Sequence, residues 1–265
     1  MTMEQATTRA RIRVKGIVQG VGFRPFIHNL ALRHNLKGFC LNDSEGVLIE
    51  VEGQDSDIET FITGIKAFPP PLSKVDEVFV EKLPPAGFED FRIKESLRIE
   101  RKFSQISPDV SVCEDCLAEL EDPKDRRYGY PFINCTNCGP RYSITLGIPY
   151  DRKNTTMKSF TMCHECLSEY QNPESRRFHA EPNACPECGP EVWLVERGKD
   201  PSERKVKGRE AVEKAVKLLK AGAIVAVKGI GGFHLACDAE NPTAVAALRE
   251  RKRKSNKPFA MMARD

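Results

Sequence analysis

Eight of the ten cysteines form two matched sets in the middle of the chain. The first set is Cys113, Cys116, Cys135 and Cys138, and the second is Cys163, Cys166, Cys185 and Cys188. Each set has the spacing C-x2-C-x18-C-x2-C, and the second follows the first at an offset of 50 residues. A CxxC pair places two thiolates on one side of a metal, and two pairs complete the tetrahedron that Zn²⁺ prefers. The spacing therefore predicts two closed, structural zinc sites.

The spacing leaves open which CxxC pairs share a metal. Adjacent pairs within one repeat could do so, or the pairs could be nested, with the first meeting the fourth. A redox role suits one isolated CxxC but explains four at matched spacing poorly. Cys40 and Cys237 fall outside the pattern, and we expect them at core or neutral positions. His164 and His179 lie close to the thiol ligands in sequence, and we expect both at the surface.

A glycine-rich turn near the start of the chain could bind an anion. Within VKGIVQGVGFRPF, this turn follows a strand-like pattern and precedes Arg24 and the start of a helical pattern. Glycines let successive N–H groups turn toward one point, and a following helix adds its N-terminal N–H groups and positive dipole end. The Arg24 guanidinium could grip two phosphate oxygens. The alternative is a plain strand–helix turn with a surface arginine. The candidate phosphate-binding residues are Gln19, Gly20, Val21, Gly22 and Phe23.

The elements that must position these groups fall into three segments: residues 9–96, 104–192 and 207–265. In the first, hydrophobic patterns predict an α+β, ferredoxin-like βαββαβ domain with two helices on one sheet face. Its second helix is predicted to present Ile58, Phe61, Ile62 and Ile65 on one face. The second segment is the small domain with both C4 sites. A charged, Gly- and Pro-containing linker, ERGKDPSERKVKG, separates it from the third.

The third segment has an α/β pattern. GREAVEKAVKLLKAG predicts a helix with Gly222 as its C-terminal cap, and AIVAVKG predicts a buried strand. A second helix is expected near NPTAVAALRERKRK. A new strand is expected to begin in KPFAMMARD, so we expect the chain to be a fragment or the product of a truncated reading frame.

Composition excludes several classes of protein. The 265-residue chain has a formal net charge of only +3, which calls for neither nucleic acid nor a membrane as a partner. It has no apolar run of spanning length and no signal-peptide core, which predicts a cytoplasmic protein without a membrane partner. The basic run RERKRKSNK suits a solvated helix end. Nucleic acid is disfavoured, because the fingers lack Cys2His2 spacing and no aromatics interleave with the basic run.

The first third of the chain resembles the acylphosphatases. VKGIVQGVGFRPF is similar to their signature, and GFCLNDSEGVLIEVEG resembles their glycine–aromatic–x–x–asparagine segment. The resemblance implies the same βαββαβ fold. It places Arg24 on the family's phosphate-gripping arginine and Asn42 on its water-orienting asparagine. Those roles fit the chemistry: a guanidinium stabilises charge on phosphoryl oxygens, and an amide can position a water. No metal is required for this step.

The last segment is similar to the start of YrdC-like domains. The resemblance covers AIVAVKGIGGFHLACDAENPTAVAALRERKRKSNKPFAMM. Such domains bind ATP and form acyl-adenylates from a carbamate, so the resemblance implies ATP with Mg²⁺ as a substrate. GIGG is neither a GxGxxG nor a P-loop motif and is weak alone. The basic residues that would neutralise the triphosphate are Lys228, Arg251, Lys252, Arg253 and Lys257.

The three segments occur in this order in hydrogenase maturation carbamoyltransferases of the HypF type, and the whole chain resembles their N-terminal part. The resemblance implies that carbamoyl phosphate is hydrolysed at the first domain. The carbamate would then form carbamoyl-adenylate with ATP, for transfer to a HypE-type acceptor protein in [NiFe]-hydrogenase maturation. The family's last domain is not in this sequence, so complete transferase activity is not expected of it. Two alternatives stay open: a stand-alone acylphosphatase with a zinc-binding appendage, and a zinc-dependent nucleic-acid-binding protein.

Overall fold

The computed structural model describes residues 7–97, 106–200, 202–203, 205–252 and 257–263. The chain divides into two compact units, the first ending at Pro190 and the second beginning at Glu191. The first unit contains an α+β domain followed by the cysteine repeats. We call the described part of those repeats, residues 106–190, the finger module.

The α+β domain is built on a five-stranded sheet. Its elements are β1 (Thr7–Ile17), α1 (Phe23–Arg33), β2 (Lys37–Asp43), β3 (Gly46–Gln54), α2 (Asp55–Ala67), β4 (Lys74–Leu83) and β5 (Phe91–Ile93). The strand order is β4-β1-β3-β2-β5. All neighbours are antiparallel except β5, which runs parallel to β2. This arrangement confirms the predicted α+β domain, with the last two strands on opposite edges of the sheet.

Both helices pack on one face of the sheet, as their apolar spacing predicts. Ile12 of β1 and Ile49 of β3 are fully buried against Ile27 of α1 and Phe61 of α2. Ile62 joins this core only in part. Because side chains alternate along a strand, the opposite face carries the polar set. There Arg9 and Arg11 both bind the Glu50 carboxylate, which offsets the cost of its burial.

A tight turn between β2 and β3 lies beside the strand–helix loop of β1. The Gln19 amide donates to the carbonyl oxygens of Asp43 (2.7 Å) and Gly46 (2.9 Å), which ties the loop to the turn. Gly46 has φ of +144°, and a Cβ there would lie 2.2 Å from the carbonyl oxygen of Val14. The chain therefore needs glycine at this position for both its backbone angle and its close approach to β1.

The finger module contains two short helices that begin after the first cysteine of each repeat. These are α3 (Glu114–Glu121) and α4 (His164–Gln171). Between the repeats the chain makes 3₁₀ turns at Tyr142–Ile144, Arg152–Asn154 and Thr156–Ser159. The matched positions of the helices follow from the 50-residue repeat in the sequence.

The second unit contains the predicted helix–strand–helix series. Its elements are β6 (Trp193–Leu194), β7 (Val206–Lys207), α5 (Gly208–Lys220), β8 (Val225–Lys228), β9 (Phe233–Ala236) and α6 (Pro242–Arg251). Gly222, with φ of +82°, ends α5 as predicted. Its N–H donates to Leu219 O and the Ala223 N–H donates to Leu218 O, which completes a Schellman motif.

Two expectations for the second unit were wrong. The strand β8 is not buried: it pairs with β9 in a hairpin, and Val227 is 50% exposed. An apolar strand is buried only where other layers cover it, and among the described residues of this unit too little packs on the hairpin to do so. The described residues 257–263 form no strand. No helix in the described parts of the chain is long and apolar enough to cross a bilayer.

We expect Gly46→Ala to lower the free energy of unfolding of the first unit by about 1–3 kcal/mol, because it forces a side chain into a left-handed conformation against β1. Urea unfolding followed by far-UV circular dichroism measures the change. Gly147→Ala is the matched control, since a Cβ at Gly147 would meet no atom within 4 Å. Equal unfolding midpoints for the two variants would contradict the close approach.

Candidate functional site

The structure brings the eight predicted metal ligands together as two separate clusters. Within each cluster the ligand atoms all lie within 4.8 Å of one another, and each cluster is drawn from one repeat. Adjacent CxxC pairs therefore share a site, and the nested alternative is excluded. The Cys113 and Cys163 Sγ atoms each lie 3.7 Å from Sγ of the third cysteine of their own repeat. Zn–S bonds of about 2.3 Å in a tetrahedron place sulfurs about 3.8 Å apart, so the residues present fit zinc.

An arginine of each repeat donates hydrogen bonds to cysteine sulfur atoms of the other repeat. Arg126 donates to the Sγ atoms of Cys163 (3.5 Å) and Cys166 (3.0 Å), and Arg176 donates to Cys116 Sγ in return. A Zn²⁺ with four thiolates is net negative, so these guanidinium groups are electrostatically favourable where they lie.

The next arginine of each repeat forms an ion pair with a glutamate in the helix of the other repeat. Arg127 binds Glu169 of α4, and Arg177 binds Glu119 of α3. Burial alone would raise the pKa of Glu169, but Arg127 outweighs it and lowers that pKa to about 2. The two repeats thus hold each other in a pseudo-symmetric pair.

The glycine loop, residues 19–23, lies directly against the finger module. Gly20 and Gly22 both have left-handed φ, +71° and +74°. A Cβ on Gly20 would lie 3.2 Å from the Arg141 side chain, and one on Gly22 would lie 3.3 Å from Thr136 Cβ. Arg141 also donates from Nε to the carbonyl oxygen of Gly20. The loop is therefore more than a turn: its glycines satisfy backbone angles and a close contact at once.

The first turn of α1 has no side-chain cap. Gly22 is the N-cap residue and has no side chain with which to bind the first N–H groups of the helix. Those groups and the positive end of the helix dipole favour an anion. That the loop and this helix end bind an anion stays a prediction.

Arg24 is buried between two carboxylates of the finger module. It is 8% exposed, and it binds Asp151 Oδ1 at 2.8 Å and Glu181 Oε1 at 2.5 Å. Burial alone would lower the pKa of Arg24, but the charges of Glu181 and Asp151 outweigh it and raise the pKa above its ordinary value. Burial raises the pKa of Glu181 while Arg24 opposes the change. Arg24 is therefore not the surface arginine of the plain-turn alternative.

Asn42 lies at the end of β2, on the same pocket as Arg24. Its Nδ2 contacts Tyr150 O at 3.5 Å, and its buried Oδ1 has no hydrogen-bond partner. Gln19 connects the same region, because the Tyr150 N–H donates to Gln19 Oε1 at 3.0 Å. The side chain of Gln19 is thus a structural link between the loop, the β2–β3 turn and the finger module.

The pocket beside Arg24 is small and partly open to solvent. The described residues include four buried side-chain polar atoms without a partner, and three belong to residues at or beside this pocket: Asn42 Oδ1, Asp151 Oδ2 and His179 Nδ1. Buried polar atoms are normally hydrogen-bonded, so their concentration here indicates a polar ligand site.

His179 was wrongly expected at the surface. It lines the pocket and has a buried Nδ1. His164, in contrast, is exposed on α4 as expected. The expectation failed because the finger module folds back over the α+β domain, which sequence spacing does not reveal.

One sequence signal could have identified the finger-module residues of the pocket. The repeats diverge at His179, Ala180 and Glu181, which stand where the first repeat has Gly129, Tyr130 and Pro131. These three residues of the second repeat line the pocket. A position where a repeat departs from its own pattern is a candidate for a role that only one copy performs.

Comparisons with known proteins match all three parts of the chain. The acylphosphatase family model matches residues 10–93, and the HypF finger model matches residues 112–145 and 162–195. A Sua5/YciO/YrdC model, described as telomere recombination, matches residues 217–265. The chain is 51% identical over 263 residues to the carbamoyltransferase HypF of Rhizobium leguminosarum bv. viciae, covering 99% of this chain and 32% of that protein.

The chain belongs to the HypF family. A crystal structure of full-length HypF in a phosphate- and nucleotide-bound form matches with a TM-score of 0.90 at 51% identity, covering all of this chain and 34% of that one. The α+β domain alone is 44% identical over 85 residues to the acylphosphatase of Thermotoga maritima, which covers 32% of this chain and 93% of that protein. The chain thus spans about a third of the length of the HypF relatives that it matches.

The comparisons also cover the cysteine repeats. The HypF finger model matches both repeats, so the repeats are a feature that this chain shares with HypF proteins. The other two cysteines lie apart from them: Cys40 is buried in the core of the α+β domain, where burial raises its pKa to about 12, and Cys237 is partly exposed in the second unit. Both positions agree with the expectation of core or neutral positions for these thiols.

The residues predicted to bind a nucleotide lie on exposed parts of the second unit. Lys228 ends β8, with its Nζ 5.6 Å from the centre of the Phe233 ring. Arg251 and Lys252 lie at the end of α6, and Lys257 is exposed. Arg253 lies outside the described residues. Their role in ATP binding stays a prediction.

We expect the chain to bind two zinc ions and Cys116→Ser to bind one, because each cluster is closed by its own four thiolates. Metal analysis by inductively coupled plasma mass spectrometry on purified protein counts the ions. Cys237→Ser, outside both clusters, is the matched control and should retain two. A wild-type content below one, or an unchanged content in Cys116→Ser, would contradict the two-site structure.

Proposed function

We propose that the α+β domain hydrolyses carbamoyl phosphate to carbamate and phosphate, as the first step of a HypF-type carbamoyltransferase. The observation that carries this proposal is the convergence of Arg24, Asn42 and the glycine loop on one pocket. The acylphosphatase model covers these residues, which supports an acyl phosphate as the substrate class.

The pocket has the parts that phosphoryl transfer needs. The loop and the first N–H groups of α1 would bind the phosphoryl oxygens, and Arg24 would stabilise the charge that grows on them. The unpartnered Oδ1 of Asn42 would accept a hydrogen bond from the attacking water and orient it. The water oxygen bonds to phosphorus, the bond from phosphorus to the acyl oxygen breaks, and carbamate leaves. The water's protons pass to the phosphate product and solvent.

The two carboxylates on Arg24 support this role as positioning groups. A long side chain normally loses conformational freedom when it binds an anion. Asp151 and Glu181 hold the Arg24 guanidinium in place before substrate arrives. Glu181 is itself fixed, since its Oε2 accepts from the Arg152 N–H at 2.8 Å and from the Tyr170 hydroxyl at 3.1 Å. A preorganised charge stabilises a transition state more effectively than a mobile one.

The remaining steps of the proposal concern the complete protein. The YrdC-like segment would bind ATP with Mg²⁺ and convert carbamate to carbamoyl-adenylate, and the match to a nucleotide-bound HypF structure supports this step. The carbamoyl group would then pass to a HypE-type acceptor in [NiFe]-hydrogenase maturation, in the cytoplasm. The two C4 clusters would hold structural Zn²⁺ and so maintain the fold that presents Asp151 and Glu181 to Arg24.

We expect Arg24→Ala and Asn42→Ala each to lower kcat for phosphate release from carbamoyl phosphate by about 100-fold or more, because each removes a group that acts on the transition state. A colorimetric phosphate assay on the purified chain measures the rates. Arg33→Ala is the matched control, because Arg33 lies exposed at the end of the same helix.

The control should keep the wild-type rate. If both Arg24→Ala and Asn42→Ala release phosphate as fast as the wild type, the assignment of this pocket is wrong.

A further inference from the structure

His179 occupies the finger-module wall of the pocket, facing a site whose phosphate-binding parts all come from the α+β domain. Its Nδ1 is buried and has no hydrogen-bond partner. The ring is held by its aromatic neighbours: its centre lies 4.9 Å from that of Tyr170 and 4.7 Å from that of Phe178. An unpaired polar atom on a fixed ring is costly to bury, which points to a ligand that pairs with it.

The backbone of His179 adds an independent argument. Its φ is +51°, a left-handed conformation that suits glycine. The equivalent residue of the first repeat is Gly129, with φ of +67°. The fold therefore requires this conformation in both repeats, but only the copy at the pocket places a side chain there. Left-handed conformations of residues other than glycine cluster at functional sites.

The imidazole is neutral in this environment. Burial lowers its pKa, and the positive charges of Arg24 and His28 lower it further, to about 3. A neutral imidazole has one N–H donor and one acceptor nitrogen. It therefore adds no charge beside the phosphoryl group but can accept a hydrogen bond.

We infer that His179 binds the acyl end of the substrate and accepts a hydrogen bond from the amino group of carbamoyl phosphate. This inference rests on the proposed function, in which the loop and Arg24 take the phosphoryl end. The other unpartnered atoms near the pocket, Asn42 Oδ1 and Asp151 Oδ2, are also acceptors, so the site matches a ligand that brings donors. The attacking water and the carbamoyl –NH₂ group supply them. The finger module is then part of the substrate site and not only a structural support.

This arrangement distinguishes carbamoyl phosphate from acetyl phosphate. The two substrates share the phosphoryl group and the carbonyl, but acetyl phosphate has a methyl group in place of the amino group. A site built to hydrogen-bond a substrate group discriminates against an analogue that lacks it, because its own buried acceptors are left unpaired. Hydrolysis of acetyl phosphate should depend little on His179.

The test compares kcat/KM for the two substrates in the wild type and three variants of the full chain. His179→Gly copies the first repeat and relieves the backbone conformation, while His179→Asn tolerates that conformation and keeps an acceptor. His34→Ala, at the end of α1 and outside the pocket lining, is the matched control. We expect His179→Gly to lower kcat/KM for carbamoyl phosphate at least ~10-fold more than for acetyl phosphate. His179→Asn should restore part of the preference.

The outcomes separate the inference from the function on which it rests. Equal losses on the two substrates, or no loss on either, would overturn the assignment of His179 while leaving hydrolysis at this pocket intact. A wild-type chain that hydrolyses neither substrate would overturn the proposed function itself. Thermal unfolding of each variant shows whether it is folded, and a folded His179→Asn is sufficient for the comparison if His179→Gly does not fold.

Discussion

The buried ion pairs of Arg24 join the α+β domain to the finger module. One guanidinium from α1 binds Asp151 and Glu181, residues more than 120 positions away along the chain. Breaking a buried pair by removing one partner costs about 3–5 kcal/mol, because the remaining charge is left uncompensated. The position of the finger module, the orientation of Arg24 and the shape of the pocket therefore depend on one another.

The cysteine clusters are connected to the pocket by short segments of the finger module. Arg141 follows the second CxxC motif of the first repeat and donates both to the carbonyl of Cys135 and to that of Gly20. Glu181 and His179 precede the second CxxC motif of the second repeat by a few residues. Structural zinc sites thus hold the ends of the segments that cover the glycine loop. A zinc site need not touch a substrate to determine how the substrate is bound.

The pseudo-symmetry of the repeats explains which residues are shared and which are not. Arg126, Arg127 and Glu119 have equivalents in the second repeat because the two repeats cap each other through reciprocal contacts. His179 and Glu181 have no such equivalents, because only the second repeat meets the α+β domain at Arg24. The shared arginines and glutamates maintain the module, whereas His179 and Glu181 line the pocket.

The sequence by itself determined the local features. Cysteine spacing predicted the ligands, hydrophobic periodicity predicted the α+β domain, and a glycine at the end of α5 predicted its cap, because each depends on residues close together in the chain. It did not predict the pairing of the CxxC motifs, the exposure of β8 or the position of His179 at the pocket. Those depend on which surfaces cover one another. The sequence did not reveal that Asp151 and Glu181 bind Arg24, because only the tertiary structure brings these distant charges together. The pairing is needed because burying Arg24 without an opposite charge would be too costly.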